Sequence, residues 1–369
     1  MPKVSVIFTS FNHAQHIGVA IDSVLNQSFT DFELLILDDC SADNSWELIQ
    51  HYTDPRIKAF RNTTNKGPVE GINNAIAAQA TGSYIAIHHS DDAWELDKLE
   101  KQVAYLDANP DIGAVFTWAQ MIDEHGVKLD GDWFDQDNKR QWQWLKLLFI
   151  EINQLNHPSV LIRKPCYQEV GMYRHALAQS PDAEMWSRLL INYPIHVIPE
   201  KLTLHRLFSD RSNTSGNRLD VAIRLSNEWN VLRENYLAIN READWIALFP
   251  SLERFSNPHG FEPKFLLAMA CLHECQQRNA WQLGIRLLFE LLNDPVRRPL
   301  IAQYYGYGYL DLIKTTAAYD VYFAEADRAI AARDLVIAEQ QARLDSLYAS
   351  RSWRLTRPLR FISQWLHRP

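Results

Sequence analysis

Short apolar runs alternate with stretches of helical periodicity over the first 120 residues of the chain. Runs rich in β-branched and aromatic residues predict buried strands, and these runs lie at residues 4–9, 33–37, 57–60, 84–88 and 112–118. Apolar residues at helical spacing predict helices at residues 16–25, 70–80 and 94–106, with another helix beginning at residues 41–45. Because strands separated by helices are typical of βαβ units, this pattern predicts an α/β fold with a mostly parallel central sheet.

The pattern changes in the second part of the chain. Residues 120–155 are rich in tryptophan and show no regular period, whereas residues 159–162 predict a strand and residues 182–190 a helix. Residues 220–320 have helical spacing throughout, interrupted by proline and glycine. We therefore expect three parts: a sheet-containing domain over residues 1–215, a helical domain over residues 216–322, and a helix with a basic tail over residues 323–369.

Polar side chains follow three of the predicted strands directly. They are Thr9 to Asn12 after the first strand, Asp38 and Asp39 after the second, and His89 to Asp92 after the fourth. Since ligands of parallel sheets bind beyond the carboxyl ends of the strands, we expect these clusters to line one site. Adjacent aspartates at such a place either hold a divalent cation or cap the next helix. Two such pairs at successive strands favour a site for nucleotide phosphates.

The charge of the chain indicates which partners it can bind. A net charge of -8 disfavours nucleic acid, which is bound by basic surfaces. Residues 351–369 nevertheless hold five arginines with Trp353 and Trp365 and no acidic residue. Such a tail suits peripheral contact with an anionic membrane, although docking onto the acidic body of the chain is the other interpretation. With no signal peptide and no long apolar run, we expect a cytoplasmic protein, peripheral on the inner face of the plasma membrane if the tail binds lipid.

Spaced motifs follow one another in a specific order between residues 3 and 210. They read Ser10-Phe11-Asn12, Ser23-Val24-Leu25-Asn26-Gln27, Asp31-Phe32-Glu33, Asp38-Asp39-Cys40-Ser41-Ala42-Asp43, Asn65-Lys66-Gly67 and Ala80-Thr81-Gly82-Ser83-Tyr84-Ile85. Together they resemble family 2 glycosyltransferases of the bacterial polysaccharide and O-antigen type, which are inverting enzymes with a GT-A fold. The tail resembles a C-terminal element of some glycosyltransferases that build bacterial sugar polymers.

The resemblance implies a site for a nucleotide-sugar donor. Asp39, with Asp38 beside it, would hold the base or ribose, and Thr9 would lie against the base. Arg206, which follows a predicted strand, would help to hold the diphosphate. The other residues expected on the donor side are Phe11, Asn12, Asn65, Lys66 and Ser90.

The resemblance also implies a divalent cation, Mn or Mg, that bridges the donor diphosphate. The Asp-x-Asp motif of the family reads His89-Ser90-Asp91 in this chain, and Asp92 follows. Asp91 is therefore expected to bind the metal, with His89 standing where the family has its first acid. Imidazole is a poorer ligand for Mg and a better one for Mn, so His89 affects the choice of metal.

A third implied role is that of the catalytic base, the carboxylate that takes the proton of the acceptor hydroxyl. When the run from Pro181 to Leu189 is aligned on the family's Trp and Arg, Asp182 takes the base position and Pro181 replaces a glutamate. An aspartate at this place could also be a simple helix cap, and Glu184 is the alternative base. His157, Glu184 and Trp186 are expected on the acceptor side.

These residues predict an inverting glycosyltransferase. It would move a sugar from a nucleotide-diphosphate donor, preferably UDP- or dTDP-linked, to a glycan or lipid-linked glycan in cell-surface polysaccharide synthesis. Because His89 and Pro181 depart from the catalytic pattern, a non-catalytic donor-binding or assembly protein of the same fold is the alternative. A nucleotidyltransferase is disfavoured, since no glycine-rich phosphate loop follows the first strand.

Overall fold

The computed structural model describes residues 1–210, 213, 216, 218–257 and 259–349. Met1–Gly308 form one compact unit, and Tyr309–Pro369 are assigned to a second. The basic tail lies outside the described residues, so its contact with a membrane stays a prediction. Within the described ranges, no helix combines the length and the apolar character that crossing a bilayer requires.

In the described part of the chain, eight strands form one sheet in the order β3-β2-β1-β4-β7-β6-β8-β5. They are β1 (Val4–Ser10), β2 (Phe32–Asp38), β3 (Ile57–Arg61), β4 (Tyr84–His89), β5 (Ala93–Trp94), β6 (Ala114–Ile122), β7 (Leu161–Arg163) and β8 (Ile195–Arg206). Strands β1 to β4 run parallel to one another, and β8 runs parallel to β6. Strand β7 is antiparallel to both β4 and β6, and β5 is antiparallel to β8. The predicted mostly parallel sheet is therefore confirmed.

Helices pack on the sheet and continue beyond it. They are α1 (Ile17–Leu25), α2 (Ser45–Gln50), α3 (Pro68–Asn74), α4 (Lys98–Ala108), α5 (Gln141–Phe149), α6 (Lys164–Val170), α7 (Pro181–Asn192), α8 (Leu219–Glu234), α9 (Glu242–Leu248), α10 (Pro263–His273), α11 (Arg278–Asn293), α12 (Arg297–Tyr305), α13 (Tyr309–Ala318) and α14 (Ala324–Ala349). The helical character predicted for residues 220–320 is confirmed.

Strand β1 lies in the core of the sheet, where its buried Ser5 donates a hydrogen bond to Glu33 Oε1 (2.7 Å). Val4, Val6 and Phe8 are fully buried and pack with the apolar face of α1. Gly82 lies so close to this strand that a Cβ there would stand 2.6 Å from the backbone nitrogen of Ser5. The polar residues at the carboxyl end of β1 therefore follow a closely packed strand.

Three elements differ from the sequence prediction. The helix expected at residues 94–106 begins at Lys98, because Trp94 belongs to β5 and pairs with Thr203 of β8. Helix α5 lies where the sequence showed no period, and it buries Trp144 in the core. The strand expected before His205 and Arg206 includes both as the end of β8, and Pro199, which has no N–H for the ladder, lies where the register of β8 against β6 shifts.

Candidate active site

The three polar clusters lie together at one edge of the sheet. Ser10 is in register with Asp38 of β2, and Thr9 is in register with His89 of β4, so all three strands end at the same level. The loops that follow contact one another, since His13 Nδ1 lies 2.8 Å from Ser90 Oγ. The strand order thus brings the predicted donor-side residues of the three loops into one surface.

The loop after β1 is fixed by its own asparagine. Asn12 has a positive φ of 54°, a conformation that asparagine tolerates better than most residues. Its side chain accepts a hydrogen bond from the N–H of Ala42 (2.8 Å), and its own N–H donates to Ser41 Oγ (3.0 Å). These bonds join the β1 and β2 loops and leave the neighbouring Phe11 ring 43% exposed at the open edge.

The two aspartates after β2 are both engaged by the protein. Asp38 is buried and accepts hydrogen bonds from the N–H (3.1 Å) and the hydroxyl (2.5 Å) of Ser41. Asp39 accepts from Asn62 Nδ2 (2.8 Å) and from the N–H groups of Lys66 (2.9 Å) and Gly67 (2.8 Å). Asp39 therefore shapes the loop that carries Asn65 and Lys66, whose side chains are exposed.

His89 occupies a hydrogen-bonded chain rather than an open ligand position. Its Nδ1 lies 2.8 Å from Thr9 Oγ1, and its Nε2 lies 3.2 Å from His157 Nδ1. The chain continues from His157 Nε2 to the Tyr173 hydroxyl at 3.0 Å. Burial lowers the pKa of both histidines, so the two rings are neutral. A cation bound to His89 would have to displace Thr9 or His157.

The adjacent aspartates of this motif have different surroundings. Asp92 is buried, accepts the N–H of Arg206 (2.9 Å) and lies 3.3 Å from His205. Although burial opposes it, the charge of His205 lowers the pKa of Asp92 to about 2. Asp91 keeps 16% of its side chain exposed, 3.9 Å from His13 Nδ1. Burial and the charge of Asp92 raise the pKa of Asp91, so it is the carboxylate that gains most from a nearby cation.

We tested whether these residues fit a divalent cation. Within the described residues, no group of three or more His, Cys, Asp and Glu side chains is arranged to hold a metal ion. Hard cations such as Mg are nevertheless often bound by one or two carboxylates together with substrate phosphates and waters. The site with Asp91 therefore fits a cation shared with a diphosphate ligand, and does not fit a cation held by the protein alone.

Arg206 holds the loop that carries Asp91. Its guanidinium donates to the backbone carbonyl oxygens of Asp91 (2.7 Å) and Asp123 (2.8 Å), and the residue is 4% exposed. The sequence placed this arginine on the diphosphate of the donor. In the structure its hydrogen bonds go to the backbone, so it positions Asp91 instead.

Asp182 is the second residue of α7 and lies near Tyr173, whose hydroxyl is 3.0 Å from His157 Nε2. One of its carboxylate oxygens accepts a hydrogen bond from Asn153 Nδ2 (2.9 Å). Burial raises the pKa of Asp182 to about 6. Trp186, one turn further along α7, packs against the His157 ring at 5.7 Å between ring centroids. The start of α7 therefore faces the motif that carries His89 and Asp91.

The other acceptor-side candidates on α7 are fully buried. Glu184 pairs with Arg188 (2.8 Å) and Arg174 (3.0 Å) and accepts a hydrogen bond from Asn235 Nδ2 (2.9 Å). All of these partners are donors, so the carboxylate of Glu184 is engaged within the protein. Trp186 also contacts Phe116, edge to face at 4.9 Å. In the first turn of α7, Glu184 is thus held in a buried ionic network, whereas Asp182 receives a hydrogen bond from the neutral Asn153.

Sequence reasoning missed Glu228 of α8. Its carboxylate accepts hydrogen bonds from the N–H groups of Ala178 (3.0 Å), Gln179 (2.8 Å) and Ser180 (2.8 Å), which lead into α7. These bonds fix the segment that presents Asp182. No local motif marks Glu228, because the contact joins residues far apart in the sequence.

Comparison with known proteins decides the family. The sequence profile described as glycosyl transferase family 2 matches residues 5–167. Over 211 residues the chain is 31% identical to the uncharacterized glycosyltransferase MJ1057 of Methanocaldococcus jannaschii, covering 56% of this chain and 71% of that protein. The chain belongs to glycosyl transferase family 2. It is therefore a transferase enzyme, and the alternative of a non-catalytic assembly protein is not supported.

Two further relatives of this glycosyltransferase bear on its fold and setting. Over 103 residues it is 39% identical to WfgD of Escherichia coli, a UDP-Glc:alpha-D-GlcNAc-diphosphoundecaprenol beta-1,3-glucosyltransferase, covering 28% of this chain and 40% of that protein. The match thus spans less than half of the length of WfgD. The structure of S. aureus TarS residues 1–349 in complex with UDP-GlcNAc superposes with a TM-score of 0.55 at 17% identity, covering 85% of this chain and 89% of that TarS fragment. This likeness shows the predicted GT-A-like fold followed by helices.

Proposed function

We propose that this glycosyltransferase moves a sugar from a UDP- or dTDP-linked donor to a hydroxyl of a glycan or lipid-linked glycan, with inversion at the anomeric carbon. The observation that carries the proposal is that His157 contacts both the metal motif, through His89, and helix α7, through Trp186, while Asp91 of the motif and Asp182 of α7 both have a raised pKa. The relation to WfgD supports a UDP-sugar donor and a lipid-linked acceptor.

The nucleoside part of the donor is proposed to bind at the joined loops after β1 and β2. The exposed ring of Phe11 offers an apolar face to a base, and Thr9 lies at the end of β1 beside it. Asn12 and Asp38 hold these loops in place, and Asp39 holds the loop with Asn65 and Lys66. Lys66 brings positive charge to this edge of the site, although it also pairs with Glu70.

The diphosphate is proposed to bind over Asp91 with Mn or Mg. When bound, the cation would offset the charge that develops on the departing nucleoside diphosphate. Asp91 would be its protein ligand, while Ser90 and Arg206 hold the loop in position. We do not retain His89 as a ligand, because both of its ring nitrogens contact other side chains.

Asp182 is proposed as the catalytic base. The acceptor hydroxyl oxygen attacks the anomeric carbon on the face opposite the diphosphate, and the bond from that carbon to the diphosphate oxygen breaks. Asp182 takes the hydroxyl proton, while Asn153 donates to one of its carboxylate oxygens and holds the group in place. A carboxylate with a pKa of about 6 is ionised at neutral pH yet more basic than an exposed aspartate.

The donor and the cation are tested by calorimetric titration of the full chain. UDP, dTDP, GDP and CMP sugars are added with Mn, with Mg and with EDTA, to the wild type and to Asp91→Ala. We expect tight binding of one UDP or dTDP sugar that needs the metal and is lost in Asp91→Ala. Glu253→Gln, an exposed carboxylate change in the helical part, is the control and should bind as the wild type does. Equal binding with EDTA and with Mn would contradict the assignment.

The acceptor setting is proposed to be a bacterial cell-surface polysaccharide of the O-antigen kind, built on a lipid carrier at the inner face of the plasma membrane. The five arginines of residues 351–369 support this setting through their attraction to anionic lipid. Deleting residues 350–369 should reduce co-sedimentation with anionic liposomes, and unchanged co-sedimentation would remove this part of the proposal.

A further inference from the structure

Trp133 presents an exposed indole ring beside the proposed base. Among the tryptophans that the structure describes, its side chain is the exposed one, at 48%. Its indole N–H donates to the backbone carbonyl oxygen of Asn153 at 3.1 Å. The side chain of the same Asn153 donates to Asp182. Asn153 therefore contacts both the Trp133 indole and the proposed base, Asp182.

Phe134, the residue after Trp133, is linked to the metal motif through His205. The Phe134 ring packs edge to face against His205 at 5.7 Å, and His205 lies 3.3 Å from Asp92. Trp133 is thus linked to Asp182 through Asn153, and the adjacent Phe134 is linked to Asp92 through His205. The segment 131–137 that carries them is here called the aromatic bridge.

The aromatic bridge is anchored at several points. Trp118 Nε1 donates to the carbonyl oxygen of Gln136 (3.0 Å), and Lys201 pairs with Asp135 (3.0 Å). Gly131 has a φ of +154°, and a Cβ there would stand 3.1 Å from Met121 Sδ. These contacts hold the indole in one orientation, as a preformed binding surface requires.

We propose that Trp133 is the platform on which a neutral sugar ring of the acceptor stacks, next to the hydroxyl that Asp182 deprotonates. The inference rests on the proposed function. A pyranose ring has an apolar face of C–H groups, and an exposed indole offers a flat apolar surface of matching size while its N–H is used elsewhere. Stacking fixes the ring plane, so a hydroxyl at its edge can point at the base.

The charge of the aromatic bridge decides what kind of sugar it takes. Between Leu129 and Asn138 the sequence has four aspartates and no lysine or arginine. In the described part of the chain, Asp135 pairs with Lys201, and no ion pair is found for Asp130 or Asp132. Like charges repel at this range. The platform therefore suits a glucose- or N-acetylglucosamine-like ring and disfavours a uronic acid.

The first test observes the ring directly and needs no knowledge of the donor. The full chain is labelled with 5-fluorotryptophan, and the Trp133 resonance is assigned by its loss in Trp133→Phe. Methyl β-glucoside, methyl N-acetyl-β-glucosaminide and methyl β-glucuronide are then titrated by ¹⁹F NMR. We expect the two neutral glycosides to shift the Trp133 resonance more than the glucuronide does. No shift with either neutral glycoside, or an equal shift with the glucuronide, would overturn the proposal.

The second test separates stacking from a structural role. With the donor found by calorimetry, transfer to the glycosides is compared with hydrolysis of the donor, in which water replaces the acceptor. Trp133→Ala should raise the acceptor KM at least tenfold and leave donor hydrolysis unchanged, while Trp133→Phe, which keeps a ring but loses the N–H, should restore most of the affinity. Phe289→Ala, another exposed aromatic on α11, is the control. Equal losses in Trp133→Ala and Trp133→Phe, or a fall in hydrolysis, would show an anchor for Asp182 instead.

Failure of the proposed function gives a different result. If the wild type neither hydrolyses nor transfers any nucleotide sugar, the donor assignment fails while the ¹⁹F experiment still reports on sugar binding at Trp133. If the donor is hydrolysed and no glycoside shifts the Trp133 resonance, the donor assignment stands and the proposed role of Trp133 is wrong.

Discussion

Asp182 and Glu184 lie two residues apart in the first turn of α7, and their carboxylates contact different kinds of side chain. Glu184 is fully buried between Arg188 and Arg174, which satisfy its charge. Asp182 receives a hydrogen bond from the neutral Asn153, and burial raises its pKa to about 6. The sequence offered both as candidate bases. The choice between them depends on which side chains surround each carboxylate, and that is a property of the folded chain.

The raised pKa of Asp182 predicts how transfer depends on pH. The base must be ionised to accept a proton, so kcat/KM for the acceptor should rise with pH through about 6 and level off above it. The profile is measured between about pH 5 and 8 at saturating donor, with donor binding followed over the same range as a control. A rate that is already flat at about pH 5 would contradict the assignment.

The same shift predicts that Asp182→Asn stabilises the fold at neutral pH. The pKa of the folded state, about 6, lies above the ordinary value of 3.8, so the folded chain keeps this proton over an interval in which the unfolded chain has lost it. The stability that this group contributes is therefore lost as the pH rises through that interval. Urea unfolding at about pH 7.5 should show the variant more stable by on the order of 1 kcal/mol, with little difference near pH 4. A less stable variant at about pH 7.5 would contradict the cause given for the shift.

At the scale of elements, the segment that leads into α7 is held by α8. Three successive N–H groups, from Ala178 to Ser180, point at one carboxylate, that of Glu228. Helix α8 is itself tied to α5, since Trp229 Nε1 donates to the Leu148 carbonyl oxygen at 2.8 Å. The helices after residue 218 therefore help to place the proposed base.

Glu228→Gln tests this positioning with little change of shape. The amide can accept fewer hydrogen bonds and sets an NH₂ group against N–H donors, so we expect kcat to fall tenfold or more while the donor KM stays unchanged. Because the charge of Glu228 also raises the pKa of Asp182, the acidic limb of the pH profile should move to lower pH. The matched control is Glu234→Gln on the same helix, where Glu234 pairs with the exposed Arg286. A Glu228→Gln enzyme with an unchanged pH profile and kcat would show that the contact is structural only.

At the scale of the whole molecule, the sheet and the position of the site could be predicted, whereas the partners within the site could not. Buried strands such as β1 and β2 can be recognised as apolar runs in the sequence. Because the strands are parallel, their carboxyl ends lie at the same edge of the sheet. The full extent of β8, which passes through Pro199 and ends at Arg206, has no such local pattern. The partners of His89 come from strand β1 and from the segment before β7, and Glu228 acts from a distant helix. Such contacts depend on the tertiary fold and leave no local pattern in the sequence.

The central claim is that Asp182 removes the acceptor proton, and the most direct measurement compares transfer by the wild type and by Asp182→Asn at about pH 7.5. Asparagine keeps the size of the side chain and can still accept the hydrogen bond of Asn153, but it cannot take a proton. We expect transfer to fall by about 10²- to 10⁴-fold with donor binding retained. Transfer at the wild-type rate by a folded Asp182→Asn enzyme would contradict the account.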